Sequence, residues 1–296
     1  MEKKILLALD TSIHSKYALR YSVAMSSVIK ELTYTLFHTQ PTVSQFLKDE
    51  AKTDVKAKAD LNKAIRKNID EAQSLLEVYK AQMIGMGIAE KDITLMTQPK
   101  LIDTSMDILG TGLQGLYDAI VMGRRGLSRL HEALMGSVTS KLLGKSKVIP
   151  VWIIDGEVTS TRIMAAVDGS ENSFRAIDHL SFMVSENPDI KITLFHVIPR
   201  AGEYAPIDFD EKEGREHFYA RALDKFKTAG IQEGQIEVKV AKVTLNVGKA
   251  ILDEAKKGNY GTVVMGRRKA KKAFFEASVS KQVLDRTLNS AIWIIP

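Results

Sequence analysis

Two consecutive copies of one α/β domain, each a five-stranded parallel sheet with helices on both faces, are predicted by three features of the sequence. Short apolar runs without alternation, such as Ile5–Leu9 and Ala119–Met122, read as strands buried on both faces. These runs alternate with segments of helical spacing, the order that right-handed crossovers turn into a parallel sheet. The pattern also occurs twice. Ile5–Ser12 aligns with Ile163–Ser170, and Thr35–His38 with Thr193–His196, both at an offset of 158 residues. Tyr117–Arg125 aligns with Tyr260–Arg268 at 143, and both Ser137-Val138 and Trp152–Ile154 recur at 141. A period of about 150 residues is the size of a domain, not of a solenoid repeat. The predicted domains are 1–156 and 161–296, with a longer middle segment in copy 1.

Taken in order, copy 1 opens with the strand at 5–9. Ser12 follows as an N-cap for a helix with Ile13, Tyr17, Tyr21, Met25 and Val28 at helical spacing. Thr33–Thr39 is the second strand. One long amphipathic helix comes next, with Leu61, Ile65, Ile69, Leu76 and Tyr79 on one side and lysines on the other. Asp92–Thr97 is a third strand; residues 102–115 have helical spacing that Gly110, Gly112 and Gly115 weaken. Ala119–Met122 is the fourth strand, a helix starts at Ser137, and Val148–Ile154 closes the copy. Copy 2 repeats the plan with a helix from Ser173, strands Ile190–Val197 and Ile236–Val243, and a helix Val247–Lys257. In a 3-2-1-4-5 strand order the winding reverses between the first and fourth strands. Asp10, Thr39 and Gly123 then meet in one crevice at the strand ends.

The composition, 45% apolar and 26% charged over 296 residues, is that of a soluble globular chain. Absence of cysteine excludes disulfides and thiolate chemistry, and fits a reducing cytoplasm. Five apolar residues before Asp10 are too few for a signal-peptide core. The run 148–154 falls short of the roughly 20 residues a membrane span needs. The expectation is a cytoplasmic protein with no membrane contact. A net charge of +6 comes from lysines scattered along segments such as 48–67, a solvated face and not a nucleic-acid surface.

The stretch with most chemistry is Val121-Met122-Gly123-Arg124-Arg125-Gly126, followed by Gly136-Ser137-Val138. Gly123 and Gly126 can take positive φ and admit a ligand close to the backbone. Gly136-Ser137 falls at a helix start, whose free N–H groups can point at an anion. The plainer reading is that such glycines only make turns.

Gly-x2-Gly-x9-Gly-Ser after a strand ending in Val-Met, Asp10 closing the first strand and Leu-Phe-His in the second resemble the universal stress protein family, in particular its tandem members. The resemblance covers essentially the whole chain, counted twice. It implies a Rossmann-like, adenine nucleotide alpha hydrolase-like fold and, where the glycine motif is intact, binding of ATP, with AMP or ADP as alternatives. It places Ala8, Leu9 and Asp10 beside the adenosine, the backbone of Thr39 at adenine, and Gly123 near the ribose. Gly126, Gly136, Ser137 and Val138 would hold phosphates, with charge from Arg124 and Arg125. Mg²⁺ could accompany the phosphates near Asp10, although a single carboxylate does not make a metal site. Copy 2 departs from the pattern: its loop is two residues shorter, Gly126 is answered by Lys269 or by nothing, and Gly136 becomes Ala277. Copy 1 filled and copy 2 empty is the expectation, with Arg267, Arg268, Lys269, Lys271 and Lys272 making the second loop basic.

His38 and His196 recur at strand ends and read as structural, and His131 as an accident of loop composition. No HExxH or GxxxxGK[ST] pattern occurs. Three functions stay open: a nucleotide-dependent sensor or regulator acting in stress response through an unknown protein partner, a slow ATPase or phosphotransferase, and a nucleotide-free scaffold. The apolar fifth strands resemble the family's dimer seam. A tandem chain can pair them internally as a pseudo-dimer, with homodimerisation of whole chains also open.

Overall fold

The strands form where the apolar runs are densest. In the computed structural model, which describes residues 1–126, 135–198, 212–242, 246–267 and 278–296, copy 1 contributes β1 (Lys3–Ala8), β2 (Leu32–Gln40), β3 (Ile93–Pro99), β4 (Ala119–Gly123) and β5 (Val151–Asp155). Copy 2 contributes β6 (Ile163–Val167), β7 (Ile192–Ile198), β8 (Ile236–Lys242), β9 (Thr262–Gly266) and β10 (Ser290–Ile295). The fully buried strands β4, β5 and β6 are the unalternating runs, whereas the edge strands β3 and β8 mix buried and exposed positions.

Within each copy the pairing is parallel and the order is the predicted one: 3-2-1-4-5 in copy 1 and its equivalent in copy 2. The two sheets are not separate. β5 pairs antiparallel with β10, from Ser290 opposite Asp155 to Ile294 opposite Val151, and ten strands run as one sheet. The predicted pseudo-dimer is therefore a continuous sheet with no free fifth strand.

Helices α1 (Ile13–Ala24), α3 (Val55–Gly85), α6 (Glu171–Met183) and α7 (Lys212–Thr228) cover one face, and its apolar core runs unbroken beneath both copies. The other face carries α4 (Thr104–Gln114), α5 (Ser137–Lys145), α8 (Val247–Lys257) and α9 (Val279–Arg286). Ser12 caps α1 by accepting from the Ser15 N–H, as predicted. In copy 2 the cap is Ser170, so α6 starts at Glu171 and not at Ser173. The glycines of 102–115 do not prevent a helix, because Asp103 caps α4 through the Ser105 and Met106 N–H groups.

The single long helix of copy 1 is two. A short α2 (Gln45–Glu50) precedes α3, and Asp54 starts the latter by accepting from the Ala57 N–H at 2.9 Å. At 31 residues α3 is about 46 Å long, well beyond the strands it covers. Its stripe is accordingly buried at Leu76 and Tyr79, while Ile65 is 39% exposed. Among the described residues no helix is long and apolar enough to cross a membrane.

Trp152 faces Trp293 across the seam, and these two residues are related by the internal offset of 141, so the pseudo-twofold passes between them. Their indoles stack at 3.8 Å with an interplanar angle of 1°. Each indole N–H donates into a helix of the opposite copy: Trp293 to the Tyr21 hydroxyl at 2.8 Å, Trp152 to His179 Nε2 at 3.3 Å. Apolar surroundings push the His179 pKa down from 6.5 to about 3, and an acceptor at Nε2 requires the neutral ring.

In the unfolded chain His179 takes up a proton near its ordinary pKa, but in the fold it stays neutral. Its stabilisation is thus full above pH 6.5 and is lost as pH falls towards 3. Urea denaturation at pH 7 and pH 5 should differ by about 2 kcal/mol from this group, and His179→Gln should remove that part of the slope.

Candidate functional site

The end of β1, the end of β2 and the N-terminus of α5 converge where the winding reverses between β1 and β4. They enclose a crevice of about 260 Å³. Of the eleven residues that the sequence nominates, ten line it: Ala8, Leu9, Asp10, Thr39, Gly123, Arg125, Gly126, Gly136, Ser137 and Val138.

Asp10 serves the fold on one side and the crevice on the other. Its Oδ1 accepts from the Ser12 N–H at 2.9 Å and the Ser15 hydroxyl at 2.7 Å, while its own N–H donates to Ser15 Oγ at 2.8 Å. Asp168, Ser170 and Ser173 repeat this arrangement in copy 2. Oδ2 faces Gly126, where an added Cβ would lie 3.0 Å away. Tyr79, its phenol pushed up to about 12 by burial, donates to the Asp10 carbonyl at 2.7 Å. His38 and His196 each make the strand-end contact expected of a structural residue, and His38 also lines the crevice. Each Nδ1 meets a main-chain carbonyl, Leu9 at 2.7 Å and Val167 at 3.0 Å, and so must carry the proton.

The glycines differ from expectation in mechanism. Neither Gly123 nor Gly126 has a positive φ. Gly123 is required by the close approach of α1: a Cβ there would fall 2.6 Å from His14 Cβ and 2.8 Å from the His14 carbonyl. Gly266 meets Asn172 in the same way, at 2.2 Å from its carbonyl oxygen. At Gly136 a Cβ would meet Arg125 Cα at 3.2 Å and the Arg124 oxygen at 3.3 Å, so it would press the other end of the loop and not only an incoming ligand. The Gly136 N–H donates to the Arg124 carbonyl at 3.0 Å and draws those loop ends together.

α5 begins in an unusual way. Its N-cap is Gly136, which has no side chain to accept from the first turn. Among the described residues the N–H groups of Ser137 and Val138 have no partner, and both residues line the crevice. Thr139 Oγ1 donates to the Gly123 carbonyl at 3.2 Å and ties the turn to the end of β4. In copy 2 the equivalent serine, Ser278, is itself the N-cap, and its hydroxyl accepts from the Lys281 N–H at 3.3 Å.

Arg124 is the correction. Its guanidinium is buried away from the crevice, donating to the Thr287 carbonyl at 3.1 Å and the Asp285 carbonyl at 2.6 Å, with Asp155 at 3.5 Å. It thereby caps the C-terminus of α9 in the other copy. Arg267 answers it, donating to the Leu143 and Ser146 carbonyls at the end of α5. Among the described residues Arg125 is the cation that lines the crevice, 3.9 Å from Asp155. Both arginines lie past the end of β4 at Gly123, so no strand alternation in the sequence separates them.

The sequence reading missed Ser15, Thr104 and Thr139, which add hydroxyls to the wall, and Ile108 and Met122, which add apolar surface. His14, beside the end of β4, has its pKa lowered by burial and then by Arg125. His131, Ala277, Arg268, Lys269, Lys271 and Lys272 lie outside the described residues. Among those described, no group of three His, Asp or Glu side chains could hold a metal ion.

A model of the universal stress protein family matches residues 1–155 and again 159–289. A universal stress protein of Mycolicibacterium smegmatis is 24% identical over 303 residues, covering 100% of this chain and 98% of its own. The crystal structure of a universal stress protein from Archaeoglobus fulgidus covers 99% of this chain and 97% of its own at 19% identity, with a TM-score of 0.69. A putative universal stress protein from Pseudomonas aeruginosa covers 99% and 93% at 16% identity, with a TM-score of 0.55. These structural likenesses concern the fold.

Gly123→Ala should destabilise the protein by about 1–3 kcal/mol, because the backbone of α1 cannot yield cheaply. Gly126→Ala, opposed by one carboxylate oxygen, should cost under about 1 kcal/mol. Urea midpoints of the two variants check the order.

Proposed function

This chain belongs to the universal stress protein family, and from that premise we propose that copy 1 holds one adenine nucleotide, ATP by preference, as a regulator in stress response whose occupancy a protein partner reads. The observation that carries the reading is the start of α5. Two N–H groups without a partner among the described residues, a glycine N-cap and the positive end of a helix dipole face a crevice with Arg125 at its wall.

In this reading phosphates lie against the main chain of Gly126, Gly136, Ser137 and Val138, with Arg125 adding charge in place of Arg124. Ala8, Leu9 and Asp10 border the adenosine, Gly123 lies near the ribose and the Thr39 backbone meets adenine. Among the described residues Asp10 is the carboxylate that lines the crevice, so its Oδ2 would be within reach of any Mg²⁺ arriving with the phosphates. The self-capped start of α9 supports an empty copy 2, because Ser278 already occupies the first turn.

Mass spectrometry of nucleotide released from the purified protein, followed by calorimetric titration of the stripped chain, tests the reading. One ATP per chain is expected. Gly136→Ala should weaken it by about ten-fold or more, since a charge-assisted hydrogen bond contributes roughly 1.5–3 kcal/mol. Two equivalent sites would remove the asymmetry, and no binding at all would remove the site.

A further inference from the structure

The antiparallel seam makes the strands of the two copies run in opposite directions. The C-terminal ends of one copy's strands therefore share an end of the sheet with the N-terminal ends of the other's. In each copy the last helix returns against the strands and stops just before the fifth one. The C-terminus of α5 thus arrives beside the end of β9, where Arg267 stands, and that of α9 beside the end of β4, where Arg124 stands.

We infer that Arg267, although carried by copy 2, is a positioning residue for the phosphate end of the crevice in copy 1, which is complete only in the tandem chain. The inference rests on the nucleotide reading above. α5 has nine residues, about 13 Å, too few to hold a helix without outside contacts. Thr139 and Gly136 fasten its first turn to β4 and the loop. The guanidinium of Arg267 takes the Leu143 and Ser146 carbonyls at its last turn. A planar cation there satisfies orphan carbonyls and offsets the negative end of the dipole.

Arg267 is itself fixed, since its N–H donates to the Ile295 carbonyl of β10 at 2.7 Å, next to the seam. The axis of α5 is then set at one end by copy 1 and at the other by copy 2, and that axis aims the Ser137 and Val138 N–H groups. The reciprocal contact of Arg124 with α9 ends in an N-terminus already closed by Ser278. Only the Arg267 contact therefore leads to an open anion site.

The test compares ATP and adenosine binding to the full chain. Arg267→Ala should weaken ATP about ten-fold and leave adenosine unchanged, and Arg267→Lys, which keeps the charge without the fork, should fall between. Arg162→Ala removes a helix-end contact wholly within copy 2, to the Gly258 carbonyl at 2.6 Å, and should alter neither ligand. Unchanged ATP affinity in Arg267→Ala, or equal loss of both ligands, overturns the inference. Should the wild type bind neither, the nucleotide reading fails separately, and amide exchange of the unliganded proteins decides. Faster exchange across α5 in Arg267→Ala, with α1 unaltered, upholds the cross-copy positioning, and equal exchange overturns it.

Discussion

The antiparallel pairing of β5 with β10 is the constraint on which the rest of the molecule depends. Both strands are buried along almost their whole length, and either alone would present an apolar edge with unpaired backbone groups. Pairing them removes both edges, joins the two apolar layers and relates the copies by a pseudo-twofold with their strands antiparallel. It also brings Trp152 and Trp293 face to face on the pseudo-twofold. Two buried indole N–H groups at that point need acceptors, and the sheet has none to spare. Tyr21 and His179, equivalent positions of α1 and α6, supply them from opposite copies. The seam is thus pinned by main chain in the plane of the sheet and by side chains above it.

Below the plane the arginines do the corresponding job, and their chemistry touches the crevice. A guanidinium as deeply buried as that of Arg124 is costly unless its donors are used. Two helix-end carbonyls and the buried Asp155 provide for it. Asp155 also lies 3.9 Å from Arg125, so the crevice cation shares its counter-ion with the seam. An anion entering the crevice can draw on Arg125 without leaving Asp155 as an isolated buried charge, because Arg124 remains beside it. The second arginine is what makes the first available.

Much of this was legible from the residues. The internal repeat and the unalternating strands carry the topology, and Ser12 and the Asp10 strand end mark the crevice, because those signals are local or periodic. Arg124 and Arg267 were not legible, since the carbonyls they cap lie more than a hundred residues away and in the other copy. The positive φ expected of Gly123 was misread for a related reason: its glycine is needed for the close approach of α1, and the position of His14 is not written in the local sequence. The periodicity of α3 continued past the end of the sheet, where no core remained to bury it.

The divergence of the two copies comes down to how a helix start is satisfied. Ser137 and Ser278 are the same residue of the repeat, yet the first stands inside its helix and the second caps it. What precedes them differs: Gly136, and in copy 2 Ala277. Gly136 has extended backbone and can lie against the Arg124 carbonyl, so the helix reaches one residue further and begins without a side-chain acceptor. The first-turn donors of a helix need an acceptor from somewhere. Where the chain supplies its own hydroxyl, an anion must displace it and recovers little. Where glycine withholds one, those donors stay pointed at the crevice, and that difference in capping is what the proposed asymmetry between the copies rests on.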